Sequence, residues 1–212
     1  KHGYLLLADI AGYTRFLAGT ELEHSQAILS EFLTTIVEKL TPGLTLAEVE
    51  GDAVFVYSTE SSLARGETLI ELVEATYVAF RDRRETMRMR TTCSCKACNS
   101  IASLDLKFIT HYGEFVLQAI AGKAKPVGSD VNLAHRLLKN KVTENTGWNA
   151  YALFTEPAVQ RVGTMPQVMH TESYTYEHLG DVKSFSLNLE ARYREIKERR
   201  TMVVTPEESF FT

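Results

Sequence analysis

Two carboxylates stand where metal chemistry would need them. The apolar run Leu5-Leu6-Leu7-Ala8 ends in Asp9, and a glycine-containing turn, Ile10-Ala11-Gly12-Tyr13-Thr14, follows at once. Asp52 sits in Gly51-Asp52, between the segments Leu46-Ala47-Glu48-Val49 and Ala53-Val54-Phe55-Val56. Two Asp residues at strand ends suit a pair of hard divalent cations holding a triphosphate. The turn after Asp9 offers backbone N–H groups to phosphate oxygens. Asn132 and Arg136 lie four apart on an expected helix, so an amide and a guanidinium share one face. Cys93, Cys95 and Cys98 form a Cys-x-Cys-x-x-Cys segment, a crowded set of soft ligands.

Each residue also has a plainer reading. Asp9 could cap a helix or make a turn, and Asp52 could be a hairpin-turn residue. Arg136 could be solvated on a surface helix. The cysteines could be reduced thiols in a linker, a redox sensor, or ligands of a structural Zn²⁺ whose fourth ligand comes from a His, from solvent or from a partner chain. His111 reads as structural.

These residues need elements to hold them. Tyr4–Ala8 reads as a buried strand. Leu29, Phe32, Leu33, Ile36, Val37 and Leu40 recur at helical spacing, and Pro42-Gly43 closes that helix. Leu44–Val49 and Ala53–Ser58 flank Glu50-Gly51-Asp52 as a hairpin. Leu69, Leu72, Val73, Tyr77 and Phe80 define a second amphipathic helix. Leu104–Thr110 alternates as a strand, with Phe115–Ala121 as its expected hairpin partner turning at Tyr112-Gly113. The order strand, helix, strand, strand, helix, strand is the ferredoxin-like split pattern, which brings Asp9 and Asp52 together. Further on, Val131–Leu138 reads as a helix, Ala150–Thr155 as a strand and Glu156–Val162 as a short helix. Tyr174–His178 and Lys183–Leu189 read as a hairpin turning near Gly180-Asp181, and Glu190–Arg200 as a basic helix.

The chain has 212 residues, 44% hydrophobic and 24% charged, with a formal net charge of −4. That length and balance suit a single soluble domain over residues 1–200 with a tail over 201–212. The net charge gives no pull toward nucleic acid or an anionic membrane. The Arg81–Arg90 and Arg192–Arg200 clusters read as solvated helix faces. No apolar stretch approaches the roughly 20 residues of a membrane span, and the crowded cysteines make a poor disulfide framework. A cytoplasmic location is expected. No Gly-x-x-x-x-Gly-Lys-Ser/Thr loop is present, so P-loop hydrolysis has no support.

In this order and spacing, Asp9-Ile10-x-Gly12-Tyr13-Thr14, Gly51-Asp52 and Gly128-Ser129-Asp130-Val131-Asn132-Leu133-Ala134-His135-Arg136-Leu137 resemble the catalytic domain of the class III nucleotidyl cyclases. The resemblance runs roughly from Tyr4 to Leu189. It implies an α+β fold, a ferredoxin-like βαββαβ core with an antiparallel-rich sheet flanked by helices. It implies conversion of a nucleoside triphosphate to a 3′,5′-cyclic nucleotide and pyrophosphate, with two divalent cations, Mg²⁺ or Mn²⁺. By resemblance, Asp9, the Ile10 carbonyl and Asp52 bind metal, and Gly12, Tyr13 and Thr14 form the phosphate turn. Asn132 orients the ribose and Arg136 stabilises charge on the α-phosphate, both reaching in from the partner protomer of a homodimer with composite sites.

At the base-recognition positions the chain departs from the adenine pattern of Lys and Asp. Glu48 matches the guanine type, whereas Lys125 matches neither type and could contact a base carbonyl or pair with Glu48. Lys183 is the nearest counterpart of a further phosphate-binding Lys, and reads equally as a solvated hairpin residue. The cysteine placement, with Ala134–Asn140, resembles a bacterial branch of cyclase-like proteins. The alternative is a silent nucleotide-binding module of the same fold, acting as a sensor or regulator.

Overall fold

The computed structural model describes residues 1–59, 67–120, 122–163, 165 and 169–204. Strand β1 (His2–Ala11) leads through the short helix α1 (Tyr13–Ala18) into α2 (Leu22–Leu40). The hairpin β2 (Thr45–Glu50) and β3 (Ala53–Tyr57) follows, then α3 (Glu67–Arg90), α4 (Lys96–Ser100) and β4 (Asp105–Glu114). A small hairpin, β5 (Val116–Ile120) and β6 (Lys123–Val127), precedes α5 (Ser129–Arg136) and α6 (Val142–Thr146). The chain closes with β7 (Tyr151–Thr155), α7 (Glu156–Val162), β8 (His170–Tyr176), β9 (Gly180–Asn188) and α8 (Leu189–Val204).

The main sheet has the order β2-β3-β1-β4-β7-β9-β8. All its pairings are antiparallel except β4 with β7. The β2-β3-β1-β4 portion is the expected split βαββαβ core.

Strand β1 is buried on both faces, which is why Leu5-Leu6-Leu7-Ala8 reads as a continuous apolar run. Its alternate residues serve two cores. Tyr4, Leu6, Ala8 and Ile10 pack with α2 and α3 through Phe32, Ile36, Tyr77 and Phe80. Leu5 and Leu7 face the other layer, with Val131, Leu133, Ala134 and Leu137 of α5 and the turn after it. In α2 the buried Ile28, Phe32, Ile36 and Leu40 recur every fourth residue, and the Phe32 and Phe80 rings lie 4.5 Å apart. Pro42, just beyond the end of α2, cannot continue the helix.

Three expectations are corrected. Asp9 lies within β1, paired across to Ala53 and Lys107, rather than after the strand. Strand β4 does not turn at Tyr112-Gly113: Gly113 stays extended and pairs with Gly3. Segment β5 therefore pairs with β6, not with β4, and Gly122, with φ 79°, supplies the left-handed backbone between them. The basic helix runs on to Val204, so the first residues of the expected tail continue it; residues 205–212 lie outside those described.

The basic clusters are met by acids. Arg81 pairs with Glu190, Arg83 with Glu31, Arg84 with Asp105 at 3.4 Å, Arg192 with Glu74 at 2.7 Å and Lys197 with Asp82 at 2.8 Å. Several of these pairs join α8 to α3.

Because both faces of β1 are buried, Leu6→Ala and Leu7→Ala should each destabilise the fold by about 2–5 kcal/mol. Denaturant midpoints check this. A cost within about 0.5 kcal/mol for either, as for a surface site, would contradict two-sided burial.

Candidate active site

Register brings the charged groups together. Asp9 and Lys107 are cross-strand partners on β1 and β4, so their side chains leave the sheet on the same face, and Lys107 Nζ lies 3.0 Å from Asp9 Oδ2. The turn carrying Asp52 folds over the end of β1, where the Ile10 N–H donates to the Asp52 carbonyl at 3.1 Å. Asp9, Asp52, Lys107 and Arg15 line one cavity of about 280 Å³ together with the turn Ile10, Ala11, Gly12, Tyr13 and Thr14.

The electrostatics follow from that proximity. Burial and the nearby Asp9 charge raise the Asp52 pKa, against the pull of Lys107. Burial works against the Lys107 ammonium, yet Asp9, Tyr151 and Asp52 outweigh it and raise its pKa. Burial and the Asp52 charge also raise that of Tyr13. Two carboxylates thus lie beside Lys107, with Arg15 lining the same cavity. Their hard oxygen donors fit divalent cations.

Gly12, with φ 86°, is the N-cap of α1, and no side chain caps the first turn. Its Cα faces the Ser103 carbonyl: an added Cβ would lie 3.0 Å from that oxygen. A second cavity of about 410 Å³ adjoins the first, sharing Ala11, Gly12, Arg15 and Lys107 and adding Ser103, Thr143 and Asn149. Arg15 and Lys107 give this cleft two cationic groups suited to anionic oxygens.

The other expected residues gather elsewhere. Lys125 Nζ donates to Glu48 Oε2 at 2.6 Å, across from a register shift in β2 between Leu46 and Glu48. Glu48, Lys125 and Asn132 line a cavity of about 260 Å³ with Glu50, Phe55 and His135. That cavity shares no lining residue with the Asp9–Asp52 cavity. Val131, Leu133 and Ala134 bury one face of α5, which leaves Asn132 and Arg136 exposed on the other. Lys183 lies on β9, 3.5 Å from Glu156 and over the Phe185 ring, and lines none of these cavities.

A buried junction sets the position of α5. Asp130, in its first turn, accepts from the Glu114 N–H at 2.6 Å and lies 3.5 Å from His111 Nε2. His111 is buried, with Nδ1 2.8 Å from Thr155 Oγ1. Burial lowers its pKa, only partly offset by Asp130, which agrees with a structural role. Gly113 leaves room for the carboxylate: an added Cβ would fall 2.3 Å from Asp130 Oδ2.

Sequence reasoning missed Lys107 and Arg15. Lys107 had a signal, being the one charge in the interior of a strand otherwise bound for burial. It also missed His24, whose Nδ1 lies 3.1 Å from Cys95 Sγ and 3.6 Å from both Cys93 Sγ and Cys98 Sγ. His24 lies in the first turn of α2, far along the chain from the cysteines, and carries no local mark of that contact.

The fold is that of class III adenylyl and guanylyl cyclase catalytic domains. The guanylyl cyclase Cya2 superposes with a TM-score of 0.69 at 17% identity, over 88% of this chain and 91% of that one. The adenylyl cyclase CyaB from P. aeruginosa gives 0.58 at 16% identity, over 88% and 95%. The chain itself belongs to the family described as "Protein of unknown function (DUF2652)", whose model matches residues 29–146. It is also similar to the uncharacterized protein Rv2561/Rv2562 of Mycobacterium tuberculosis (strain ATCC 25618 / H37Rv). That protein is 26% identical over 162 residues, 76% of this chain and 73% of the relative. Among the described residues no helix is long and apolar enough to cross a membrane.

Two outcomes follow from the α5 junction. Gly113→Ala should displace the Asp130 carboxylate and destabilise the fold by about 1–3 kcal/mol, read from the thermal or denaturant midpoint. The depressed His111 pKa means that the unfolded chain takes up the proton first as pH falls. Its contribution should be complete above the unfolded value of about 6.5 and decline as pH falls through the folded value. Denaturant midpoints measured from pH 7.5 down to about 5 should show this slope, reduced in His111→Gln.

Proposed function

We propose that the protein is a nucleotidyl cyclase of the class III type, converting a nucleoside triphosphate to a 3′,5′-cyclic nucleotide and pyrophosphate. The observation that carries this reading is the convergence of Asp9 and Asp52 in one cavity beside the Gly12 turn. Asp9, Asp52 and the Ile10 carbonyl would hold two divalent cations, Mg²⁺ or Mn²⁺. When bound, such cations lower the pKa of the ribose 3′-hydroxyl and neutralise the polyphosphate.

The chain's own groups supply the rest. Lys107 and Arg15 offer positive charge to phosphate oxygens, and the uncapped first-turn N–H groups of α1 add donors. Asn132 would orient the ribose, while Arg136 would donate to the charge that builds on the α-phosphate. The 3′-oxygen forms a bond to the α-phosphorus, the bond to the bridging oxygen breaks, pyrophosphate leaves and the hydroxyl proton passes to solvent. Glu48 and Lys125 face the base as one acceptor and one donor, which must exchange their mutual ion pair for contacts with it. Lys183 remains a candidate phosphate ligand only if it leaves Glu156.

The separation of the two cavities supports a homodimer. Asp9 and Asp52 of one protomer would meet Glu48, Lys125, Asn132 and Arg136 of the other, giving two sites related by the twofold axis. A second reading, a silent nucleotide-binding module, is favoured by one observation: the Glu48–Lys125 pair at the base position satisfies itself.

The test is product analysis with Mg²⁺ or Mn²⁺ and each of ATP, GTP, CTP and UTP. One triphosphate should give its cyclic monophosphate, and Asp52→Asn should reduce turnover on the order of 100-fold or more. Mixing Asp52→Asn with Arg136→Ala should restore roughly a quarter of wild-type activity, because half of the dimers then hold one intact site. Turnover unchanged in Asp52→Asn overturns the metal assignment. Metal-dependent nucleotide binding with no product from any triphosphate selects the silent module.

A further inference from the structure

The segment between α3 and β4 carries Cys93, Cys95 and Cys98, and α4 begins within it. Cys95 is the N-cap of α4, and its sulfur accepts the Cys98 N–H at 3.4 Å. The Asn99 side chain donates to the Ser94 carbonyl at 2.9 Å, so this short stretch is tied to itself. It is also tied to the start of α2: the Glu21 carboxylate accepts the N–H groups of Lys96 at 3.3 Å and Ala97 at 3.0 Å. That docking brings His24 over the cysteines.

The donor atoms of His24, Cys93, Cys95 and Cys98 all lie within 4.8 Å of one another. The distances from His24 Nδ1 to the sulfurs are 3.1, 3.6 and 3.6 Å. Around a tetrahedral Zn²⁺, bonds of about 2.3 Å to sulfur and 2.0–2.1 Å to nitrogen give N···S edges of about 3.6 Å and S···S edges of about 3.8 Å. The cysteines are free thiols and not disulfides. From these contacts we infer that Cys93, Cys95, Cys98 and His24 form a Cys₃His site for one Zn²⁺, closed to further ligands and structural in role. The set of three soft donors and an imidazole, all from one chain, matches that class. Cys98 is buried and His24 is exposed, so the ion reaches the site from solvent.

The site has a mechanical consequence. Beyond α4 the chain makes a 3₁₀ turn over Ile101–Ser103, anchored by the buried Ala97, Ile101 and Leu104. Ser103 places its carbonyl against Gly12 and lines the cleft beside it. A zinc joining α4 to the start of α2 therefore fixes the wall behind the Gly12 turn. This inference stands on the cysteine–histidine geometry and not on cyclase activity.

The experiment uses the full chain, purified without chelator. Metal analysis after dialysis should find about one zinc per chain, and His24→Ala and Cys98→Ser should each hold less than about half of that. His24→Cys, which keeps four ligands, should regain it. Cobalt(II) added to metal-free protein should give thiolate charge-transfer bands and the intense visible bands of tetrahedral coordination, both weakened in His24→Ala. Circular dichroism of each variant separates loss of the ion from loss of the fold.

Full zinc content and an unchanged cobalt spectrum in folded His24→Ala would remove His24 as a ligand. Zinc-free protein that gives only a weak octahedral cobalt spectrum, or an intact mass showing a disulfide among the cysteines, would overturn the site. Hydrogen exchange gives the mechanical readout: removing zinc should raise exchange in Cys95–Leu104 and in Ala11–Phe16. A rise confined to the cysteine segment would overturn the link to the Gly12 turn.

Discussion

The arrangement depends on β1, a strand paired along both edges and buried on both faces. Its pairing with β3 and β4 leaves no freedom of register, because a slip by one residue would exchange the two cores it serves. That fixed register decides where Asp9 emerges and which residue stands opposite. Lys107 is that residue, so a cation lies beside the carboxylate by construction. The Asp52 turn then closes over the end of the strand through the Ile10 N–H.

The outcome is a site where two carboxylates lie close together. Asp9 and Asp52 share their cavity with Lys107 and Arg15, and burial together with the nearby Asp9 charge raises the Asp52 pKa. Two neighbouring carboxylates offer hard oxygen donors, which is the physical ground for proposing divalent cations there. In the other cavity Glu48 and Lys125 pair at 2.6 Å, beside Glu50 and His135. The two cavities share no lining residue, which is what a site completed by a second copy of the chain would require.

Away from the sheet, the segment between α3 and β4 has little apolar material of its own. Ala97, Ile101 and Leu104 anchor it below, and Glu21 holds it from the side. The four donors of His24 and the cysteines lie between these attachments. A metal there would add a cross-link where the core is thin, the usual reason that small or loop-rich regions carry one.

Much of this was legible in the sequence because it is local. Apolar periodicity gave the βαββαβ order, and the resemblance to the class III cyclases marked Asp9, Gly12, Asp52, Asn132 and Arg136 as candidate site residues. Gly113 misled, since a glycine after an aromatic reads as a turn. Here its missing side chain makes room for Asp130 in an extended strand, a packing demand made by a helix sixteen residues away. Apolar periodicity, together with the resemblance to the class III cyclases, therefore indicated the core topology, and residue type marked Asp9 and Asp52. Only the tertiary structure decided that Lys107 neutralises Asp9, that Glu48 and Lys125 meet in a different cavity, and that His24 joins the cysteines. Those contacts follow from strand register and helix docking between distant segments, and no local pattern of residues encodes them.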